Sequence, residues 1–297
     1  MMTSRQYIRS LDDLNLDVYV KGYRVGNVRD IPVSNIYHFI EAAARTYDMA
    51  LMPEYEHIML AISHITGSRI NRFNHINQNI DDLAKKSTLN QLFSGNNGNS
   101  FQRTLGMNTL NAVSITAHDI DDKYGTDYYV RFLNYLTYIQ ENDLTCYGSM
   151  TDPHGNRYLP PHKQPHPDLF LHAIEELNNG IILRGTKACE INVLTSHEII
   201  VIPTKAMTKQ DESYALSFAL PSDTEGITFI IDPELHSMTA SGDSIVDRAS
   251  SMFQNHEALC VFDNVFVPRE RIFMYKEYEF SEQMADLFKY SFCFETL

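Results

Sequence analysis

Apolar residues recur at helical spacing through the first half of the chain and alternate with polar ones through the second half. The change of character falls between Gly148 and Cys189. Thr3-Ser4-Arg5-Gln6 has the form of a capping box, and Tyr7, Ile8, Leu11 and Leu14 follow it on one face, which predicts a helix over 3–14. Residues 17–28 alternate through Val18, Val20, Tyr23 and Val25 and carry Gly22 and Gly26, the pattern of a short hairpin or irregular strand. Pro32 and Ser34 introduce a helix through Ile36, Phe39, Ile40 and Ala43 that ends near Pro53, and an apolar-periodic segment continues through Tyr55, Ile58, Met59 and Ile62. The spacing predicts further helices over 78–93, 101–124 and 127–141, the first of them broken by SGNNGNS at 94–100.

Strands are predicted over 169–177, 181–188, 198–203, 214–221, 227–232 and 258–267, separated by Asn179-Gly180, Ser222-Asp223 and Glu225-Gly226. Short strands with turn residues between them point to a compact antiparallel barrel or sandwich. Between the halves, Pro153, Gly155, Pro160, Pro161, Pro165 and Pro167 exclude a helix, because each proline removes a donor and restricts its predecessor. The stretch reads either as a linker or as a rigid polar loop that holds a ligand. Asn178-Asn179-Gly180 predicts a hairpin, since Asn and Gly tolerate positive φ. The tail, 277–297, reads as the first turns of another helix through Phe280, Met284, Leu287 and Phe288, and its apolar end SFCFETL raises the expectation that more chain follows. The organisation expected is a helical domain over 1–145, a β domain over 146–276 and the start of a helix over 277–297.

At 297 residues the chain can bury a sizeable core. A formal charge of −14 argues against nucleic acid or an anionic membrane as partner. No apolar run approaches the ~20 residues that span a bilayer, and MMTSRQYIRS lacks the apolar region of a signal peptide. Cys146, Cys189, Cys260 and Cys293 form no CxxC pair, which suits a reducing, cytoplasmic setting.

Candidate chemistry is sparse. His154, His162, His166 and His172 lie close in sequence, but the prolines prevent a helical ligand pair, so no metal site is expected. Ser196-His197-Glu198 cannot form a relay, because neighbours on a strand point to opposite faces. Gly95-Asn96-Asn97-Gly98 lacks the Gly-Lys-Ser/Thr of a phosphate loop. Gln102 and Arg103 open a helix, where they either favour an anionic or carbonyl group or simply face solvent. Glu257 precedes the apolar run ALCVF and is either drawn into a low-dielectric place or faces solvent at a strand start.

Several stretches resemble the 4-hydroxyphenylacetate 3-hydroxylase and 4-hydroxybutyryl-CoA dehydratase (vinylacetyl-CoA isomerase) family. They are INRFNHINQNIDDLAKK (70–86), FQRTLGMNTLNAV (101–113), YLTYIQENDL (135–144), MTDPHGNR (150–157), NGIILRGTKA (179–188), SHEIIVIPT (196–204) and EALCVFDNVFVPRERIF (257–273). MTDPHGNR and IQENDL sit nearer the dehydratase branch. The resemblance implies an acyl-CoA-dehydrogenase-like α+β fold, with N-terminal helices, a central antiparallel β domain and a C-terminal four-helix bundle that this chain lacks. FAD is implied between the β domain and that bundle. By the same likeness Ser149, Met150, Thr151, Asp152 and Pro153 line the flavin, and Lys187, Ala188, Cys189 and Glu190 border it. Gln102 and Arg103 would face substrate, with Glu257 near the reaction centre.

Departures from the family pattern accompany the match. Ser100 and Thr104 stand where the dehydratase branch has cluster-binding cysteines, and Ser291 and Phe292 stand near its histidine, so no [4Fe–4S] cluster is expected. The R-G-x-K-A-H-Q-T loop reads RGTKACEIN here. Of the hydroxylase branch's Arg, Tyr and His, only Arg103 is matched; Met107 takes the Tyr place, and Tyr147 and Gly148 are found where the His is expected. Three functional expectations follow: an FAD-dependent dehydratase/isomerase (a lyase) acting on an acyl-CoA and inactive alone, an FADH2-dependent aromatic hydroxylase (an oxidoreductase) acting on a phenol, or a degenerate non-catalytic relative. The partner expected is a second copy or a chain supplying the missing bundle.

Overall fold

The computed structural model describes residues 1–31, 36–97, 102–231 and 257–296, with the side chains at 94–97, 102 and 292–296 outside that description. Pro32, Ser34 and Ser100 therefore lie outside the described residues, as does the side chain of Gln102. Helix α1 (Ser4–Asp12) starts from the predicted capping box: Thr3 Oγ1 accepts the Gln6 N–H at 3.3 Å, and Gln6 Oε1 accepts the Thr3 N–H at 2.8 Å. Strands β1 (Asp17–Val20) and β2 (Tyr23–Val25) form a hairpin that turns on Lys21 and Gly22, both at positive φ.

After α2 (Ile36–Met49), the segment of helical periodicity makes one turn only, α3 (Glu56–Met59), and becomes β3 (Leu60–Ile62), paired with β4 (Arg69–Asn71). Buried Arg72 donates to the carbonyls of Ile58 (2.6 Å) and Leu60 (2.5 Å), which a continuing helix would have used itself. Helix α4 (Ile80–Asn97) runs past the break expected at 94, because an already nucleated helix tolerates a few poor formers in its last turn. Helices α5 (Gln102–Tyr124) and α6 (Tyr128–Glu141) follow as the periodicity predicts.

The β elements are β5 (Cys146–Ser149), β6 (His172–Leu177), β7 (Gly180–Glu190), β8 (Glu198–Val201), β9 (Leu216–Pro221), β10 (Ile227–Ile231), β11 (Glu257–Pro268) and β12 (Ile272–Tyr275), before the final helix α7 (Ser281–Thr296). They form a six-stranded sheet, β2-β1-β10-β11-β7-β6, and a four-stranded one, β12-β9-β8-β5. The antiparallel expectation needs one correction: β1 runs parallel to β10 and β5 parallel to β8. Both strands arrive by long connections, the condition for parallel pairing. The hairpin at 17–25, although it lies in the mostly helical first half, belongs to the large sheet. The sheets share a core in which Phe218 of β9 meets Phe262 of β11 edge to face.

The β6–β7 hairpin forms as predicted, with Leu177 paired to Gly180, but Asn178, Asn179 and Gly180 are not among the positive-φ residues. Gly180 is needed for space: a Cβ there would run into the Val267 carbonyl and the Phe266 ring.

Candidate functional site

Strand β5 ends at Ser149, and Met150-Thr151-Asp152 turns back against β7. The Ala188 N–H donates to the Thr151 carbonyl at 2.9 Å. Beneath the turn, Lys187 Nζ donates to the carbonyls of Met150 (2.9 Å) and Ile202 (3.2 Å) and to Asp152 Oδ1 (2.7 Å). The Lys187 and Asp152 side chains are both largely buried, so each charge depends on the other. One residue before Gly148, the hydroxyl of buried Tyr147 accepts the Glu190 N–H at 2.9 Å. The turn is thus held to β7 from both ends.

Over this surface lies a cavity of about 390 Å³. Its wall is formed by Leu105 of α5, Tyr147, Gly148, Met150 and Thr151 around the end of β5, Ala188, Cys189 and Glu190 of β7, Glu257 at the start of β11, and Phe288 and Lys289 of α7. The size suits a flat multi-ring group, and an apolar wall with a few polar groups is how such groups are held. A recess of about 660 Å³ lies elsewhere, between α6, the β6–β7 hairpin and β12, but none of the candidate catalytic or flavin-lining residues lines it.

The sequence candidates fall into three groups. Met150, Thr151, Ala188, Cys189, Glu190 and Glu257 are brought together in the cavity wall. Ser149, Asp152 and Lys187 lie behind it: Ser149 is buried with Oγ 3.3 Å from Cys189 Sγ, and Lys187 braces the turn without lining the cavity. Pro153 is half-buried and outside the lining. Arg103 belongs to neither group and faces neither substrate cavity nor solvent. It is 1% exposed, its guanidinium stacked on Tyr47 (4.2 Å) and Phe73 (4.7 Å), with Nη1 donating to Thr46 Oγ1 at 2.8 Å and Nη2 3.7 Å from Asp143. Glu257 is exposed at its strand start rather than drawn into the interior.

Leu105, Phe288 and Lys289 were not singled out as site residues. Phe288 carried a weak signal, since it sits on the apolar stripe of the tail helix, but nothing local shows that α7 packs on α5 and α4 and reaches the cavity wall. His162, from the proline-rich stretch, pairs with Asp211 at 2.7 Å and fastens that loop to the β unit. Among the described residues, no group of three or more His, Cys, Asp or Glu could hold a metal ion. Among them, too, no helix is long and apolar enough to cross a membrane.

Helices packed on a two-sheet β unit, with a cavity at the junction of α5, β7 and α7, define an acyl-CoA-dehydrogenase-like architecture. Within it the chain belongs to the family described as 4-hydroxyphenylacetate 3-hydroxylase N terminal, which matches residues 3–274. It is 44% identical over 291 residues to 4-hydroxybutyryl-CoA dehydratase/vinylacetyl-CoA-Delta-isomerase of Clostridium aminobutyricum, covering 97% of this chain and 59% of that protein. It is 28% identical to the oxygenase component of 4-hydroxyphenylacetate 3-monooxygenase of Thermus thermophilus, covering 92% of this chain and 54% of that protein. The solved structure of an archaeal 4-hydroxybutyryl-CoA dehydratase from N. maritimus superposes with a TM-score of 0.84 at 34% identity, over 98% of this chain and 59% of that one. The chain therefore spans a little over half the length of the relatives it matches.

Proposed function

We propose that the chain supplies the helical and β parts of an FAD-dependent enzyme of the dehydratase branch, acting on a 4-hydroxyacyl-CoA thioester, with the flavin ring in the cavity over β7. The observation that carries this reading is the convergence of the Met150-Thr151 turn, Ala188–Glu190 and α7 on one cavity of about 390 Å³. Identity to the dehydratase, 44%, exceeds that to the oxygenase component, 28%. FAD, when bound, supplies the redox chemistry. The chain's own residues position it: Met150, Thr151 and Ala188 form the wall, and Lys187 fixes the carbonyl that sets the turn. Glu257 is, with Glu190, one of two wall carboxylates able to accept a proton from a substrate lying over the ring.

An iron–sulfur cluster does not fit the donors found here. The Thr104 hydroxyl is buried and donates to Asn90 Oδ1 at 3.2 Å, and a hydroxyl does not replace a thiolate on such a cluster. No step is routed through one. The aromatic-hydroxylase reading is set aside because Arg103 is committed to Tyr47 and Phe73, Met107 is buried in the core, and the Tyr147 hydroxyl is engaged by the Glu190 N–H.

The test is a flavin titration of the purified chain, followed by fluorescence. Saturable FAD binding is expected, weakened at least tenfold, or about 1.4 kcal/mol, in Ala188→Trp, which fills the cavity. Of the two ligands 4-hydroxybutyryl-CoA and 4-hydroxyphenylacetate, the thioester should perturb the flavin absorption. Absence of saturable binding would leave the non-catalytic reading, and a response to the phenol alone would return the hydroxylase one.

A further inference from the structure

Two carboxylates of the cavity wall stand directly opposite each other. Glu190 and Glu257 are partners in the β7–β11 register, followed by Cys189 with Ala258 and then Ala188 with Leu259. Strand alternation puts Glu190 and Glu257 on the face of Ala188 and Leu259, the outer one, because Cys189 and Ala258 between them are buried. Both glutamates line the cavity. The Cβ atoms of such a pair lie roughly 4.5–5.5 Å apart, and like charges so placed repel.

The neighbouring groups do not cancel this charge. Glu190 Oε2 accepts a hydrogen bond from the neutral Asn192 Nδ2 at 3.2 Å. Glu257 makes no ion pair among the described residues. Lys289 of α7 also lines the cavity, but its Nζ lies 3.3 Å from Asp286 Oδ1 on its own helix. Behind the wall, Lys187 and Asp152 neutralise each other at 2.7 Å. The lining thus sets two carboxylates against one shared ammonium, in a chain whose formal charge is already −14. Position 190 is also where RGTKACEIN departs from R-G-x-K-A-H-Q-T by Glu for Gln, so one of the two charges belongs to this chain's own form of the loop.

We propose that Glu190 and Glu257 set the charge selectivity of the cavity. It admits a substrate whose entering end is uncharged, as in a thioester, ester or amide, and turns away one that carries a carboxylate there. This rests on the cavity being the substrate site and adds the charge class of the substrate to that reading. A 4-hydroxyacyl thioester meets the condition, since its acyl carbonyl is neutral and the phosphates of CoA lie at the far end of the molecule. A free hydroxy acid or an arylacetate does not, because its carboxylate would stand beside two like charges where water screens them less than in bulk. Discrimination of this kind comes from a repulsive element built against the wrong ligand.

The test compares 4-hydroxyphenylacetamide with 4-hydroxyphenylacetate, a pair matched in shape and differing by one charge. Their affinities are measured by ligand-observed NMR titration of the purified chain at pH 7, with and without FAD. The amide should bind at least tenfold tighter, a difference of about 1.4 kcal/mol. Glu190→Gln, which keeps an acceptor for Asn192, and Glu257→Gln should each narrow that ratio about threefold, and high salt should narrow it in the wild type. Glu225→Gln, exposed on the turn at the far end of β10, should leave it unchanged. Equal affinities in the wild type, or a ratio that survives the double substitution, would overturn the proposal while leaving the cavity a binding site. Binding of neither ligand would remove the substrate reading and the proposal with it, whereas loss of FAD binding alone would touch only the flavin reading.

Discussion

His197 and Glu198 are adjacent in sequence and meet opposite fates. His197 Nδ1 accepts the Thr145 N–H at 3.0 Å, so the proton of the neutral ring sits on Nε2 and is donated to Ser10 Oγ at 2.8 Å. Ser10 in turn donates to the Tyr7 carbonyl at 2.7 Å. Burial, with Arg103 nearby, lowers the His197 pKa to about 4. A base held neutral adds stability above its unfolded pKa of about 6.5 and loses it as pH falls to 4. Glu198 runs the other way: burial, opposed by Arg271 at 2.6 Å, raises it to about 7, so its contribution is present below about 4.5 and is lost as pH rises through 7. Melting midpoints measured from pH 4 to 7.5 should show the rise flattened in His197→Gln and the fall flattened in Glu198→Gln. Profiles parallel to the wild type would contradict both assignments. The pair forms no relay, but not through strand alternation: His197 precedes β8, and its ring is held by Thr145 and Ser10. The destination of Arg103 was not legible in the sequence, because Tyr47, Phe73 and Asp143 reach it from three separate segments.

At the scale of elements, the junction that positions the cavity is α5 against β5. A Cβ on Gly148 would fall inside contact distance of Thr109 Oγ1 and 2.6 Å from the Leu105 carbonyl; one on Gly106 would strike the Cys146 carbonyl. Gly148→Ala should cost about 2 kcal/mol or more by overpacking, read from the urea midpoint, whereas Gly26→Ala, with nothing within 4 Å, should change little. Equal effects at the two positions would show that the close approach is not what Gly148 is for. The helices α1, α2, α4, α5 and α6 were readable because their periodicity and caps are local. Strand β5 was not, since CYGS is short and contains glycine, and it becomes a strand only by pairing with β8 from Glu198 onward.

Across the whole molecule the helical and β halves are stitched together. Asp17–Val20 lies in register with Thr228–Ile231, and the Tyr7 hydroxyl donates to the Thr195 carbonyl at 2.7 Å. The His197 N–H reaches the Thr145 carbonyl at 2.8 Å. Residues 1–145 and 146–276 should therefore unfold as one cooperative unit despite the change of pattern between them. With 17 tyrosines and no tryptophan, tyrosine fluorescence and far-UV circular dichroism give two probes, whose urea transitions should coincide. Two separated transitions would mean that the N-terminal hairpin does not bind the halves.

The sequence by itself determined most of the helices, the strands β6 to β11, the hairpin at 178–180 and the family likeness that pointed to 149–153 and 187–190. Those features rest on periodicity, caps and contiguous motifs, each contained within some twenty residues. Only the tertiary structure decided that α7 reaches the cavity wall opposite β7, that two strand pairs run parallel, and that Lys187 braces the turn from behind. Each of these is a contact between segments far apart in the chain, chosen by the packing of whole faces, and one-dimensional spacing carries no record of that choice.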